Sequence, residues 1–453
     1  MTVLSQKQTA ASSDSSQTSA AALARRARAA SRSLAKLSHE RRNEVLLAAA
    51  KAIEEASRQI LQANENDCRA AEPAVAAGTM SAALLARLRV SERGIGEMAA
   101  RVRNVARLAD PIGRRLAATE LDEGLVLYKE SCPLGVIGIV FESRPDVIPQ
   151  VASLGLKSGN ALLLKGGSEA AQTNEALVSV WKNCLAGFPA VSLDSIHLLH
   201  TRADVMELLS LDRDVDLIIP RGGRELVEFV VQHSRVPVLG HGEGICHVYV
   251  DAAADIEKAF RITLDSKVQY PAACNAAETL LVHQKIAGEF LPQMLSKLRE
   301  AGVEVRGCSR TLALAGPAAG IVPATEKDWA TEYSDLILSV KIVADIDEAL
   351  AHIERYGSKH TDTIVTEDRE AARRFLEEVD AAGVYHNAST RFADGFRYGL
   401  GAELGISTSK LHARGPVGLE GLTTYKYKLL GNGQTVAEYS QGLRQFRHKP
   451  LDW

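Results

Sequence analysis

The 453-residue sequence carries almost no excess charge, because 53 Lys and Arg side chains stand against 56 Asp and Glu side chains and leave a formal net charge of -3. A chain with this balance has no overall attraction for nucleic acid, so any basic site on it must be local. The sequence also lacks an apolar run near the ~18 residues that a membrane-spanning helix needs. These absences argue against binding of nucleic acid by overall charge and against a transmembrane segment.

Cysteine is sparse, and none of the six cysteines belongs to a CxxC pair. They are widely spaced, at Cys68, Cys132, Cys184, Cys246, Cys274 and Cys308. Because no secretory leader is recognised, this spacing indicates reduced thiols in a cytosolic protein and not a disulfide framework. The 12 histidines are scattered, so no metal site is predicted. No GxGxxG follows a predicted strand, so the usual dinucleotide fingerprint is missing as well.

Length and local composition divide the chain. At 453 residues it is too long for one simple core, and two or three domains are expected. Residues 1–18 are rich in Ser, Thr, Gln and Ala and almost free of large apolar side chains, which predicts a disordered tail. Apolar residues then recur at helical spacing between 38 and 108, and two strand-like segments flank the turn at 121–124. A helical layer followed by a β-hairpin is therefore predicted.

From residue 135 to 239 short apolar segments alternate with helical ones, which is the pattern of a parallel sheet covered on both faces. The predicted strands are 136–141, 161–164, 196–199, 216–219 and 236–239, with helices at 174–181 and 224–233. A glycine-rich stretch at 239–244 suits a hinge or a cleft floor. A second α/β region follows it, with a strand at 247–250 and helices at 256–268, 347–355 and 370–379.

Two strands of the first predicted sheet end alike, with a cation and two glycines before the start of a helix. The two sequences are Lys165-Gly166-Gly167-Ser168 and Arg221-Gly222-Gly223-Arg224. Glycine lets the backbone approach a ligand closely, and a helix N-terminus offers free N–H groups to an anion. Either turn alone is more often a tight connection. Two such turns at the carboxyl edge of one sheet favour a nucleotide site.

The stretch 267–279 isolates Cys274 among side chains too small to cover its sulfur, with Asn275 as the polar neighbour. Tyr270-Pro271 should end the preceding helix, and residues 278–283 read as a strand. Cys274 is then expected on a loop that enters a strand, where a nucleophile is both held and accessible. Most free cysteines are instead small buried hydrophobes. The local sequence leaves both interpretations open.

Three motifs favour the catalytic interpretation. They are the segment from Tyr270 to Glu278, the sequence GVIGIVFESRPD at 135–146 and the sequence GAELGISTSKLHARGP at 401–416. Together, and in their order along the chain, they resemble the gamma-glutamyl phosphate reductases, which are the glutamate-5-semialdehyde dehydrogenases of proline synthesis and a branch of the aldehyde dehydrogenase superfamily. The resemblance extends from about Ala20 to the last residues.

The resemblance implies an α/β fold of the aldehyde dehydrogenase type, with a Rossmann-like cofactor domain, an α/β catalytic domain and a β arm for oligomer contacts. The NADP-binding domain would comprise 19–118 and 132–240, with part of 388–420 returning to it, the catalytic domain 241–387, and the arm 119–131 and 421–453. The alternating residues from Thr423 to Lys428 predict a strand, either a solvated edge or part of this arm.

The family's ordinary first helix would cover Ala20 to Leu37. This match favours a cytoplasmic protein over an organellar transit peptide, which the Ser, Ala and Arg content around Arg25–Arg28 resembles weakly. The family also implies a homo-oligomer.

The same resemblance assigns cofactor residues. By position, Lys165 resembles the family lysine that contacts the adenosine ribose and, in NADP users, its 2'-phosphate, for which an ammonium is a suitable point charge. Gly166 and Ser168 belong to the same turn. The glycines Gly222 and Gly223 resemble the helix start near the pyrophosphate, and Glu403 resembles the acid that holds the nicotinamide ribose. NADPH is therefore the expected cofactor.

In this family a cysteine thiolate, here Cys274, attacks an activated carbonyl carbon, and the resulting thioester accepts hydride to give an aldehyde. The oxyanion would be held by the backbone N–H of Cys274 and a second donor. Asn275 and Ser143 complete the predicted catalytic group, and Ser143 aligns with the asparagine of hydrolytic relatives. Those relatives activate water with a glutamate in Glu-Leu-Gly-Gly, whereas this chain reads Val238-Leu239-Gly240-His241 and has Glu243 displaced. An acyl-phosphate reductase does not need that base.

Arg144 and Arg221 are the first candidates for binding the phosphate and the carboxylate of the substrate, followed by His386 and Asn387. An ion pair at the surface or between domains is an equally good explanation of Arg144. The predicted reaction is NADPH-dependent reduction of L-glutamate 5-phosphate to L-glutamate 5-semialdehyde. No kinase segment precedes the motifs, so a separate glutamate 5-kinase would supply the substrate. The alternatives are a hydrolytic or CoA-dependent aldehyde dehydrogenase and a catalytically silent NADP-binding protein.

Overall fold

The computed structural model describes residues 19–240, 242–317 and 320–452. The predicted disordered tail, residues 1–18, lies outside the described residues. The chain separates into two units: the first runs to Leu239 and resumes at Val417, and the second is Gly240–Pro416. Residues 388–416 therefore cluster with the second unit. In the described ranges no helix is both long and apolar enough to cross a membrane.

Four helices of the first unit begin at serine caps. The helices of this unit are α1 (Ala20–Leu34), α2 (His39–Glu55), α3 (Ser57–Ala76), α4 (Ala82–Leu88), α5 (Glu92–Arg107), α6 (Val147–Lys157), α7 (Ala171–Ala186), α8 (Arg202–Leu209), α9 (Arg224–His233) and the late α16 (Val436–Ser440). Ser19, Ser38, Ser81 and Ser91 each accept a hydrogen bond from a backbone N–H of the helix that follows. A serine cap satisfies a donor that the helix leaves free, so these serines fix where the helical layer starts.

Two sheets complete the first unit. Their strands are β1 (Arg115–Asp122), β2 (Leu125–Pro133), β3 (Val136–Phe141), β4 (Ala161–Lys165), β5 (Ile196–Leu198), β6 (Leu217–Arg221), β16 (Thr423–Leu430) and β17 (Lys449–Pro450). The parallel sheet has the order β5-β4-β3-β6, and β3 is buried along its whole length. Because all its neighbours are parallel, β3, β4 and β6 end at the same edge, with Val140 beside Lys165 and Phe141 beside Arg221.

The predicted strand at 236–239 is wrong. Val238 forms an isolated parallel bridge with Ile218 and nothing longer. The Ile218 N–H donates to the Pro237 carbonyl and the Leu239 N–H donates to the Ile218 carbonyl, both at 2.9 Å, but Pro237 has no N–H with which the ladder could continue toward Asp216. The segment therefore lies along β6 without extending the ladder.

The antiparallel sheet has the order β16-β2-β1-β17 and confirms the predicted hairpin. Gly124 at its turn has φ +72°, a conformation that residues with a Cβ rarely adopt. The late strand β16 pairs with β2 from Thr423 opposite Pro133 to Leu430 opposite Val126. All residues of β16 after Thr423 are exposed, which makes it a solvated edge in the isolated chain.

The second unit is a seven-stranded parallel sheet with helices on both faces. Its strands are β7 (Cys246–Val250), β8 (Ala277–His283), β9 (Glu304–Gly307), β10 (Val322–Pro323), β11 (Ile337–Val343), β12 (Thr361–Val365) and β13 (Gly383–His386), in the order β10-β9-β11-β8-β7-β12-β13. Its helices are α10 (Ile256–Val268), α11 (Gln284–Glu300), α12 (Ser309–Ala315), α13 (Glu326–Trp329), α14 (Ile346–Tyr356) and α15 (Arg369–Glu378), and a short antiparallel pair joins β14 (Ile406–Ser407) to β15 (Gly415–Pro416).

Strand β8 lies at the centre of this sheet and is buried along all seven residues. Leu280 and Val282 face the cluster in which Phe260 of α10 stacks on Phe290 of α11, with ring centroids 5.2 Å apart. Leu281 faces the opposite cluster, which contains Phe375 of α15. A strand enclosed on both faces is a rigid base for whatever its first residues carry.

Candidate active site

Cys274 lies on the loop between α10 and β8, as the sequence predicts. Two successive turns hold this loop, because the Ala273 N–H donates to the Tyr270 carbonyl at 3.2 Å and the Ala276 N–H donates to the Ala273 carbonyl at 2.8 Å. Cys274 itself is half-buried, whereas Ala276 and Ala277 are fully covered. The thiol is therefore held at the head of the central strand and remains accessible.

Gly244 packs directly against the backbone of Cys274. A Cβ on Gly244 would lie 1.8 Å from the carbonyl oxygen of Cys274 and 2.7 Å from its Cα, so no side chain fits there. The Gly244 N–H donates to the carboxylate of Glu332 at 2.9 Å, and the Cys246 thiol lies 3.5 Å from the same Cys274 carbonyl. Glycine is thus required at position 244 because its backbone lies directly against the backbone of Cys274.

We expect Gly244→Ala to displace the Cys274 loop and to lower the free energy of unfolding by about 1–3 kcal/mol, because its methyl group overlaps backbone atoms that cannot rotate away. Gly242→Ala is the matched control, since a Cβ at Gly242 meets nothing within 4 Å. The measurements are thermal unfolding and the rate at which Cys274 is alkylated, read from the tryptic peptide 268–285. Equal alkylation rates in the two variants would contradict this account of Gly244.

Asn275 is buried and uses its amide to hold a neighbouring turn. Its Nδ2 donates to the Ala393 carbonyl at 2.8 Å and, more weakly, to the Arg391 carbonyl at 3.5 Å. Both carbonyls belong to the segment that includes the short 3₁₀ turn Thr390–Phe392. Its predicted catalytic role stays a prediction, and the contacts give it a positioning role between the Cys274 loop and this turn.

Arg391, on that turn, is the residue that the sequence interpretation missed. It is only 7% exposed, its Nε donates to Gln269 Oε1 at 2.9 Å, and its guanidinium lies 5.9 Å from the ring centroid of Tyr270. Gln269 and Tyr270 belong to the Cys274 loop, so the structure brings a buried cation to this loop. Nothing in the segment around Arg391 distinguishes it from a surface arginine by pattern, because the contact depends on tertiary structure.

Ser143 and Arg144 follow β3 in the first unit. Ser143 has φ +33°, and both its N–H and its hydroxyl donate to Glu169 Oε1, at 2.8 and 2.5 Å. Its donors are thus occupied by a carboxylate, and a role at an oxyanion requires that this contact opens. Arg144 is exposed, and no carboxylate of the described residues forms an ion pair with it.

The turn after β4 combines a half-buried lysine with a tightly packed glycine. Gly166 has no room for a Cβ, which would lie 2.2 Å from Asn174 Nδ2, and Asn174 Oδ1 is buried without a partner among the described residues. Lys165 donates to the Gly166 carbonyl, and burial lowers the pKa of its ammonium while Glu169 and Asp204 oppose that shift. Ser168 begins a 3₁₀ turn that leads into α7. Lys165 is the group of this turn that suits an anionic oxygen, whereas Asn174 Oδ1 is an acceptor and needs a hydroxyl or N–H donor.

The turn after β6 is open on one side. Gly223 caps α9 without a side-chain hydrogen bond, and a Cβ on it would meet nothing within 4 Å. The carboxylate of Glu142 accepts the Gly223 N–H at 3.0 Å and would lie 2.4 Å from a Cβ on Gly222. The Glu142 carboxylate shows that the start of α9 accommodates an anion. A pyrophosphate bound at this position would have to displace Glu142.

His386 and Asn387 lie at the far edge of the second sheet. His386 ends β13, its Nε2 lies 2.9 Å from the Thr366 carbonyl, and Asn387 hydrogen-bonds both the N–H and the carbonyl of Thr366. Cys274 lies before the first residue of β8. His386 is in register, through β12 and β7, with Leu281 near the other end of β8. Along and across the strands, the distance from Cys274 to His386 is therefore about 20 Å. The structure does not bring these two residues to Cys274.

Glu403 closes its own loop. Its Oε2 accepts the Gly395 N–H at 2.7 Å, and its Cβ would lie 2.7 Å from a Cβ on Gly395. The predicted ribose contact stays a prediction. The contact in the structure is one that ties residues 395 and 403 together.

The comparisons with known proteins agree with the parallel α/β units. The chain matches the family model described as "Aldehyde dehydrogenase family" over residues 3–306. An engineered glycolyl-CoA reductase solved with bound NADP+ has the same fold, with a TM-score of 0.63, 16% sequence identity, and 90% of this chain and 96% of that chain covered. The chain is therefore a member of the aldehyde dehydrogenase family, which confirms the predicted fold class.

Two further proteins narrow the assignment. A protein of Synechococcus sp. (strain JA-3-3Ab), named gamma-glutamyl phosphate reductase, is 55% identical over 424 residues, which cover 93% of this chain and 92% of the relative. The crystal structure of gamma-glutamyl phosphate reductase from Thermotoga maritima is 42% identical with a TM-score of 0.89, covering 92% of this chain and 99% of that chain. Within its family the chain belongs with the gamma-glutamyl phosphate reductases, as the three motifs predict.

Proposed function

We propose that this chain is an oxidoreductase that reduces gamma-glutamyl phosphate to glutamate 5-semialdehyde, with release of phosphate, in proline synthesis. The observation that supports this most is the accessible thiol of Cys274 at the head of β8, in a chain that matches a named gamma-glutamyl phosphate reductase over 93% of its length. We further propose that Cys274 is the nucleophile and that NADPH is the reductant.

The chemistry of the chain's own groups follows from the position of the thiol. The Cys274 thiolate attacks the acyl carbon, a sulfur–carbon bond forms, and the carbon–oxygen bond to phosphate breaks so that phosphate leaves. The backbone N–H of Cys274 is the first donor to the oxyanion that develops on the carbonyl oxygen. Lys165 would hold the cofactor, and a bound reduced nicotinamide would supply the hydride that converts the thioester into the aldehyde with return of the Cys274 thiolate.

For the cofactor we propose the turn after β4 as the main contact. Lys165 would pair with an anionic oxygen of the adenosine half. The unpartnered Asn174 Oδ1 would accept a hydrogen bond from a hydroxyl group of the cofactor. Ser168, Gly222, Gly223 and Glu403 are proposed as further cofactor contacts on the family resemblance.

Three properties beyond the reaction are also proposed. The substrate would come from a glutamate 5-kinase on a separate chain, since an acyl phosphate hydrolyses readily and must be made close to its use. Strand β16 and the hairpin β1–β2 would form the oligomer arm, which the exposed edge at Tyr425 and Tyr427 supports. The chain would act in the cytoplasm.

The assay that tests the function is NADPH oxidation with freshly made gamma-glutamyl phosphate, followed by absorbance. In the reverse direction, oxidation of glutamate 5-semialdehyde by NADP should require inorganic phosphate. Oxidation that proceeds with water or with CoA in place of phosphate would instead identify a hydrolytic or CoA-dependent aldehyde dehydrogenase. Binding of NADPH with no turnover in either direction would identify a silent protein.

A further inference from the structure

The 3₁₀ turn Thr390–Phe392 is anchored on the Cys274 side of the second unit. The Thr390 N–H donates to Ser266 Oγ of α10 at 3.2 Å, and Asn275 holds the Ala393 carbonyl at 2.8 Å. Arg397 adds a hydrogen bond from its Nη1 to the Arg391 carbonyl at 2.6 Å. The backbone that carries Arg391 is therefore fixed from three directions, and its guanidinium has a defined position.

The guanidinium of Arg391 is only partly satisfied. Its Nε is used by Gln269, and Tyr270 contributes one aromatic ring, but no carboxylate of the described residues forms an ion pair with it. Its two Nη groups donate to no described residue, and they are not fully buried. Because Nε is occupied, the open edge of the guanidinium is the Nη pair, which matches two oxygens of one anion.

The charges around Arg391 make this position favourable for an anion. Burial lowers the pKa of its guanidinium, and the neighbouring cation Arg397 lowers it further, whereas Cys274, Asp394 and Asp265 act in the opposite sense. A buried cation without a full counter-charge is costly, so the chain gains when an anion binds there. The contacts of Arg391 with Gln269 and with the Tyr270 ring place this cation at the loop that carries Cys274.

We propose that the Nη groups of Arg391 receive an oxyanion group of the substrate, either its α-carboxylate or its phosphoryl group, beside Cys274. The inference rests on the proposed function, because it takes Cys274 as the nucleophile. It assigns the substrate contact to a residue that hydrogen-bonds the Cys274 loop, whereas the sequence interpretation assigned it to Arg144, Arg221, His386 and Asn387.

The first test is protection of Cys274 from iodoacetamide, followed on the tryptic peptide 268–285 of the full chain. L-Glutamate and inorganic phosphate are titrated separately. We expect at least one of them to slow alkylation of the wild type, and Arg391→Gln to raise the protecting concentration about 10- to 100-fold. Arg391→Lys keeps the positive charge and should raise the protecting concentration less than Arg391→Gln does. Arg355→Gln, which removes an exposed arginine that pairs with Glu326, is the control.

The outcomes are distinct. Protection by glutamate alone identifies the carboxylate as the bound group, and protection by phosphate alone identifies the phosphoryl group. Equal protecting concentrations in the wild type and Arg391→Gln, or no protection of the wild type by either anion, would overturn the proposal. Thermal unfolding and the alkylation rate without ligand reveal a variant that has merely lost its fold.

Kinetics give a second readout. In the reverse reaction, Arg391→Gln should raise the KM for semialdehyde if Arg391 binds the carboxylate. It should raise the KM for phosphate if Arg391 binds the phosphoryl group. In each case the factor by which KM rises should exceed the factor by which kcat falls. A fall in kcat with both KM values unchanged would contradict the inference. A wild type that never turns over gamma-glutamyl phosphate would contradict the proposed function instead, and the protection experiment would still report on Arg391.

Discussion

We expect Cys274→Ala to lower the rate of gamma-glutamyl phosphate reduction by at least about 10,000-fold, because the substitution removes the atom that forms the covalent bond. NADPH binding should stay within about threefold of the wild type, since Lys165 and Gly166 lie in the first unit and lose no contact. Stopped-flow absorbance gives the rate, and quenching of protein fluorescence gives the affinity. The combination separates loss of chemistry from loss of the cofactor.

Cys308→Ala is the control for this substitution. Cys308 belongs to the second unit, is half-buried like Cys274, and has only the Thr311 hydroxyl, at 3.4 Å, near its sulfur. Its loss should leave the reduction rate within about twofold of the wild type. If Cys274→Ala retained activity comparable to that of Cys308→Ala, the thioester mechanism would be wrong.

The second large effect concerns the buried ion pair on either side of the Cys274 loop. Lys267 lies in the last turn of α10 and Glu278 is the second residue of β8. Their side chains meet at 2.6 Å with 0% and 1% exposure. Removing either partner leaves a buried charge without compensation, which costs about 3–5 kcal/mol. We therefore expect Lys267→Met and Glu278→Gln each to lower the free energy of unfolding by that amount in chemical denaturation.

A double-mutant cycle identifies the cause. Lys267→Met with Glu278→Gln removes both charges, so its loss of stability should be clearly smaller than the sum of the two single losses. The exposed pair Arg373–Glu377 provides the control, and Arg373→Gln should cost less than about 0.5 kcal/mol. Additive losses at Lys267 and Glu278 would show that the two side chains act independently.

The same pair makes stability depend on pH. Burial raises the pKa of Glu278 from 4.5 to about 7, against the pull of Lys267, while Glu332 adds to the rise. Between pH 4.5 and 7 the folded chain then binds more protons than the unfolded chain. The contribution of Glu278 to the free energy of unfolding is therefore complete below this window and decreases as the pH rises through it. Glu278→Gln should flatten that part of the stability curve, and an unchanged slope would exclude Glu278 as its source.

Much of the fold follows from local pattern. The helix at 224–233 and the strand at 136–141 have the predicted bounds, because their apolar spacing and flanking glycines or caps are all local signals. The segment 236–239 is different, since Val236, Val238 and Leu239 have the right composition while Pro237 lacks the N–H that a ladder needs. One missing donor outweighs the propensity of its neighbours.

The candidate site divides in the same way. Cys274 could be predicted because its small neighbours and the strand after it are adjacent in the chain. Arg391 could not, since its contact with Gln269 joins residues 122 positions apart and no spacing rule connects them. Asn387 is predicted to bind substrate, and in the structure its amide pairs with the Thr366 backbone, a contact that no spacing in the sequence indicates.

The most direct test of the account is a covalent trap. The full chain is mixed with gamma-glutamyl phosphate in the absence of NADPH, quenched in acid and digested, and the peptide 268–285 is weighed by mass spectrometry. We predict that this peptide gains one glutamyl group on Cys274, that phosphate is released in equal amount, and that adding NADPH before the quench removes the adduct. An unmodified peptide 268–285 in an enzyme that turns over normally would contradict the central claim.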